Sequence, residues 1–142
     1  MTAHRSLIAF LLAGLLAAPL AVNAADTHVK GPEPMHISQG QTITLADYLV
    51  PGKTTVFDFY SEFCPPCRRI SPELVKLHQK RDDIAVVKVD INRPGVRGID
   101  WQSPVARQFS LESIPHFKVF GPDGTLKAEG DPAYEMVMGW LQ

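Results

Sequence analysis

Residues 54–89 read TTVFDFYSEFCPPCRRISPELVKLHQKRDDIAVVKV, and the fold can be argued outward from this run. Thr54 to Tyr60 is β-branched and aromatic, with Pro51-Gly52 before it and the cysteines after it. That pattern predicts a strand buried on both faces, in which Asp58 is the exception. From Pro65 to about Lys80 the apolar residues Ile70, Leu74 and Leu77 recur at helical spacing, with Pro72 expected to kink the helix by removing a backbone donor. Ile84 to Val89 is a second apolar strand. A strand, a helix of this length and another strand form a βαβ unit, which implies parallel strands and a right-handed crossover.

Downstream, Asn92 to Gln102 is a Gly- and Pro-rich loop carrying Trp101, which either meets a partner or covers the core. Ser103-Pro104 reads as an N-cap followed by Pro at the first helical position, opening a short helix through Phe109. His116 to Phe120 predicts a third strand, Gly121 to Gly124 a turn, and Thr125 to Glu129 an antiparallel return. Asp131-Pro132 is expected to cap a last helix that buries Tyr134, Val137, Met138 and Leu141. The expected class is α/β: a central mixed sheet with helices on both faces.

The N-terminus reads differently. His4 and Arg5 give a basic start, Leu7 to Val22 is almost unbroken apolar sequence, and Val22 and Ala24 are spaced as a signal peptidase requires. Residues 1–24 are therefore expected to be a secretory signal peptide, cleaved near Ala24 or Ala25. The apolar run of about 16 residues falls short of the roughly 20 needed to span a bilayer, so no stable membrane insertion is expected after cleavage. Residues 25–41, rich in Pro, Gly and His, read as an extended lead-in to a domain over 42–142. The net charge is −1 overall. This balance gives no electrostatic reason to expect nucleic acid or an anionic membrane as a partner.

Phe63-Cys64-Pro65-Pro66-Cys67 sits where the first strand passes into the helix. In an exported chain two cysteines usually pair. A bridge across so short a loop stabilises poorly, so the spacing suits a bond that is made and broken. A helix N-terminus favours a thiolate through its free N–H groups and dipole, which makes Cys64 the expected exposed nucleophile. Cys67, one turn in, would resolve the mixed disulfide. The other readings are half of a zinc site, a structural bridge, and a redox-silent binding module. A further alternative is copper handling by the two thiolates with His116 as a third ligand. Tetrahedral zinc needs two more ligands, and His28, His36, His78 and His116 are not spaced as a pair. The expected cofactor is none beyond the Cys64–Cys67 couple itself.

An unpaired carboxylate inside an apolar strand is costly. Burial would raise the proton affinity of Asp58 and suit it to take a proton from Cys67. Lys88, in the neighbouring strand, either pairs with Asp58 or snorkels to the surface. Ser113-Ile114-Pro115 leads straight into the third strand.

Taken together, these segments resemble the thioredoxin active-site region: residues 58–67 with Ile70 and Pro72, Val87 to Asp90, and the Ser113-Ile114-Pro115 approach. The resemblance covers roughly Thr42 to Gln142 and implies a thioredoxin-like fold with thiol–disulfide exchange on protein substrates. It implies Cys64 as nucleophile, Cys67 as resolving thiol, Asp58 as buried acid and Lys88 as its partner. It further implies a cis Ile114–Pro115 bond, with a substrate groove to which Phe63, Pro65 and Pro66 contribute. The chain departs from the family where Phe63 and Tyr60 replace tryptophans and where Pro-Pro replaces Gly-Pro. Pro66 withdraws one N–H from the Cys64 thiolate, and Ile114 is thioredoxin-like, so the expectation leans towards a reductant. A reductant in the periplasm needs a membrane electron-donor protein.

Overall fold

The computed structural model describes residues 28–142, so the expected signal peptide lies outside the described residues. Five strands form one sheet: β1 (Met35–Ile37), β2 (Thr54–Tyr60), β3 (Ile84–Asp90), β4 (His116–Phe120) and β5 (Leu126–Glu129). Their order is β1-β3-β2-β4-β5. The helices are α1 (Pro65–Lys80), α2 (Pro104–Gln108) and α3 (Asp131–Trp140), with a short 3-10 helix at Leu45–Tyr48. β3 runs parallel to both β1 and β2, whereas β4 runs antiparallel to β2 and to β5. The sheet is mixed, as expected. β1 lies within the stretch read as an extended lead-in, and its three residues pair with Val87 to Val89.

Strand alternation divides the core. Val56, Val86, Phe117 and Val119 face α1 and α3 through Ile70, Leu74, Leu77 and Val137. Phe57, Phe59, Val87 and Val89 face the other way, against Val105 and Ala106 of α2 and Leu45 of the 3-10 helix. Successive side chains of a strand point to opposite faces, so Asp58, two residues from Val56, lies on the α1 side. Both β2 and β3 are sealed on two faces, which is why each reads as an apolar run rather than an alternation.

The local signals hold in most places. Ser103 caps α2 by accepting the Ala106 N–H at 3.2 Å, with Pro104 at the first position. At α3 the expectation fails. Gly130, at φ 65°, occupies the cap position with no side-chain bond, and Asp131 is the first helical residue. The Gly130 N–H is tied to the Phe117 carbonyl at 3.0 Å, so the chain must reverse sharply there, which only glycine does without strain. Tyr134 is also 41 % exposed rather than buried. The buried stripe of α3 runs through Ala133 and Val137, which places Tyr134 at its margin with its ring tilted against Phe117.

Candidate active site

The C-terminal ends of β2 and β3 open onto the loops that carry the chemistry. A turn follows β2, in which buried Ser61 accepts the Phe63 N–H through its hydroxyl and the Cys64 N–H through its carbonyl, each at 3.1 Å. That turn delivers Cys64 to the N-cap of α1. Cys64 and Cys67 are joined by a disulfide. Pro65 and Pro66 have no N–H to offer. The Cys67 N–H donates to the Cys64 sulfur at 3.2 Å, and the Arg68 N–H is taken by the Cys64 carbonyl at 3.1 Å. The helix end thus directs a single backbone donor at this sulfur among the described residues.

From across the fold, the Ile114 carbonyl oxygen lies 3.6 Å from the Cys64 sulfur, and the Ile114–Pro115 bond is cis. The sequence expectation of an exposed Cys64 is not met: Cys64 is 2 % exposed and Cys67 1 %. The cause is positional. The sulfur of an N-cap residue is tucked between the first turn of α1 and the 114–115 loop. The accessible groups around it are Phe63, Pro65 and Pro66, which are exposed, with Ile114 and Pro115 half-buried. Beside them, between α1 and α3, opens a cavity of about 400 Å³ lined by Pro66, Arg69, Pro115, Tyr134 and Met138 among others.

Asp58 and Lys88 are register partners in the parallel β2–β3 ladder. Lys88 Nζ lies 3.1 Å from Asp58 Oδ2, with both side chains almost fully buried. Burial pushes the Asp58 carboxyl above the usual carboxylate range, and the Lys88 charge opposes this without reversing it. Two further residues hold Lys88, and neither was singled out for this role in the sequence. Ser71 of α1 accepts a hydrogen bond from Nζ at 2.7 Å, and the Tyr60 ring lies beneath the ammonium, 4.4 Å from Nζ to its centroid. Tyr60 itself is pushed up to about 12 by burial and by the nearby Asp90, Asp58 and Glu62 charges. Ser71 had one legible signal: it lies four residues after Cys67 and so on the same face of α1.

His116 begins β4 beside Pro115, with Nε2 3.8 Å from Glu129. Among the described residues no group of three His, Cys, Asp or Glu side chains converges to hold a metal, so His116 is not assembled with the cysteines into such a site. Trp101 is 36 % exposed and packs into neither core cluster.

The thioredoxin family profile matches residues 42–135. The chain belongs to the thioredoxin family. Among similar proteins, chloroplastic thioredoxin F1 of Arabidopsis thaliana is 30 % identical over 90 residues, covering 63 % of this chain and 47 % of that protein. Thioredoxin H3 of the same plant is 35 % identical over 75 residues, 53 % of this chain and 56 % of its own. The chain thus spans about half the length of these relatives. The crystal structure of Chlamydomonas reinhardtii thioredoxin f2 superposes with a TM-score of 0.52 at 28 % identity, covering 74 % of this chain and 91 % of that one. Spinach chloroplast thioredoxin F shares the fold at 18 % identity and a TM-score of 0.52, over 81 % and 99 % of the two chains.

Proposed function

We propose that this chain is an exported protein thiol–disulfide oxidoreductase that works as a reductant through Cys64 and Cys67. The observation that carries the reading is the disulfide at the N-cap of α1, with the Ile114 carbonyl 3.6 Å from the Cys64 sulfur on one side. On the other, the fold supplies a buried carboxylate–ammonium pair whose lysine donates to Ser71, one helical turn along α1 from Cys67.

In the reduced protein the Cys64 thiolate attacks one sulfur of a client disulfide. A mixed disulfide forms and the client's other sulfur leaves as a thiolate. Cys67 then gives its proton to Asp58 and attacks the Cys64 sulfur. The Cys64–Cys67 bond forms, the client's second sulfur departs, and two electrons have passed to the client. Asp58 suits this task because burial holds its proton affinity high. The client backbone is proposed to lie along Ile114 and Pro115, with neighbouring side chains against Phe63, Pro65 and Pro66 and in the cavity beside Pro66 and Pro115.

The lean towards reduction rests on thiolate stabilisation. A strong oxidant stabilises its reduced form, whereas here Pro65 and Pro66 leave the Cys67 N–H as the helix-end donor at the Cys64 sulfur. Export rests on the pattern of residues 1–24, and the proposed compartment is the periplasm, where a membrane protein would return electrons to the pair. Two measurements test the reading. Cys67→Ser should accumulate mixed disulfides with client proteins and Cys64→Ser should not. The couple should titrate near the thioredoxin value of roughly −270 mV rather than near roughly −120 mV. Absence of trapped species in both variants overturns the exchange role, and a potential at the oxidising end overturns the direction.

A further inference from the structure

The Lys88 ammonium has three N–H donors and almost no access to water, so each must point at something in the protein. One meets Ser71 Oγ at 2.7 Å. The Tyr60 ring face accounts for a second direction at 4.4 Å. Asp58 Oδ2 is only 3.1 Å from Nζ, a contact close enough to lower the carboxyl's proton affinity, yet neither carboxylate oxygen has a donor in good line among the described residues. The ion pair is therefore close but off line. Hydrogen bonding and charge lower a carboxyl's proton affinity by separable amounts, and an aligned charge-assisted bond adds substantially to bare proximity.

We propose that Ser71 is a positioning residue for the buried acid: its hydroxyl draws the Lys88 ammonium off the axis of the Asp58 carboxylate. Asp58 is thereby left a stronger proton acceptor than an aligned ion pair would be. The inference deepens the exchange reading above and rests on it for its functional meaning. Each element packed around Asp58 can be accounted for. β3 presents Lys88 as its register partner and β4 presents apolar Phe117. β2 itself presents the Tyr60 phenol, whose oxygen lies 3.1 Å from His36 Nδ1 on β1. α1 presents Ser71, on the same stripe as Cys67. Ser71 is half-buried, so its hydroxyl lies between the sealed pair and solvent. A serine in mid-helix is otherwise a neutral or slightly unfavourable choice.

With Ser71→Ala, the ammonium loses its competing acceptor and swings into line with Asp58. The measurement is a carbon-13 NMR titration of the Asp58 carboxyl in the full chain, reduced and oxidised. A pH profile of insulin-disulfide reduction is recorded on the same proteins. Ser71→Ala should lower the Asp58 midpoint by about one pH unit, a tenfold weaker proton affinity, and move the acid limb of the rate profile with it. Ser71→Thr, which keeps the hydroxyl, should retain the wild-type midpoint. Should the alanine variant fail to fold, Ser71→Val against Ser71→Thr isolates the hydroxyl at matched volume. An unmoved or raised midpoint in the variant lacking the hydroxyl overturns the proposal, and so does an equal fall in Ser71→Thr. Asp58→Asn separates the two levels. If it leaves the rate profile unchanged, the exchange role of Asp58 fails, while the carboxyl titration still decides the place of Ser71.

Discussion

Asp58 and Lys88 stand directly opposite each other in neighbouring parallel strands, ammonium 3.1 Å from carboxylate, in an interior both sides of which are closed by apolar side chains. Removing one member of such a pair strands the other's charge. Lys88→Met should therefore cost about 3–5 kcal/mol in denaturant unfolding at neutral pH. Asp58→Asn combined with Lys88→Met should restore much of it. The pH dependence has a definite sign. The Asp58 carboxyl is already raised above its ordinary 3.8 by burial, and loss of Lys88 raises it further. A raised group contributes stability below its unfolded value that is lost as pH rises through the folded one. The deficit of Lys88→Met should deepen from about pH 4 upwards. A loss below about 1 kcal/mol at neutral pH would sink this account of the pair.

The Cys64–Cys67 bridge spans a sequence separation of 3 and therefore restricts the unfolded chain little. A closed loop of about 15 residues is worth roughly 3 kcal/mol, and shorter loops less. Both core clusters draw heavily on residues remote from the sulfurs in sequence, such as Phe117, Val119, Val87 and Val105. The reduced protein should thus stay folded, with cooperative unfolding weakened by about 2 kcal/mol or less. Near-ultraviolet circular dichroism of the dithiol form checks this. Loss of the tertiary signal on reduction at room temperature would show the bridge to be a structural staple.

Beyond β3, the loop from Asn92 to Asp100 is held by its own polar groups. Arg93 clamps Asp100 with Nε at 2.7 Å and a terminal nitrogen at 2.9 Å, while Asn92 Nδ2 donates to the Gly98 carbonyl at 2.6 Å. The hydrogen bonds from Arg93 hold the Asp100 carboxyl below its usual range. Because Arg93 is partly exposed, Asp100→Ala should cost about 1–3 kcal/mol, the range for orphaning a buried hydrogen-bonding partner rather than for a sealed ion pair. A lowered carboxyl contributes stability above its unfolded value of 3.8 that is lost as pH falls through the folded one. The variant should therefore lose the part of the acid-unfolding slope that lies below about pH 4, and an unchanged slope there would contradict the assignment.

How much of this was legible beforehand varies with the length of the signal. β2, α1 and β4 have the bounds their patterns imply, because each carries several consecutive residues of one period between Pro, Gly or Cys punctuation. The residues alone left Lys88 either paired with Asp58 or snorkelling; the pair was implied only by the resemblance to thioredoxins, and the β2–β3 register makes it. β1 went unmarked as a strand because three residues carry too little pattern, and their pairing with β3 is what makes them a strand. Ser71 was passed over because a lone mid-helix serine is chemically mute until the residue above it is known. The burial of Cys64 depends on a loop fifty residues away, and spacing within the motif says nothing of that.

His78 is one more group that the sequence marked only as unsuited to zinc, and the structure gives it a defined task. Val86 donates its backbone N–H to His78 Nδ1 at 3.0 Å, and His78 Nε2 lies 2.9 Å from the Gly31 carbonyl. The ring thus fills the sheet edge that the short β1 leaves open at the start of β3, and it ties residues near Gly31 to α1. Only the neutral ring protonated at Nε2 satisfies both contacts, because a second proton on Nδ1 would face the Val86 N–H. Burial lowers its proton affinity below the ordinary 6.5. A histidine lowered in the folded state is refused a proton that the unfolded chain accepts. Stability is therefore complete above about pH 6.5 and declines as pH falls below it. His36 and His116 are lowered for the same first reason, burial, so the wild-type slope sums over three rings. His78→Gln should flatten that slope between pH 7.5 and pH 5 in urea unfolding, and exchange of the Val86 amide should quicken even at neutral pH. Nitrogen-15 NMR of the ring at pH 7.5 should show the proton on Nε2. A proton on Nδ1, or a pH slope that His78→Gln leaves intact, would remove His78 from this role.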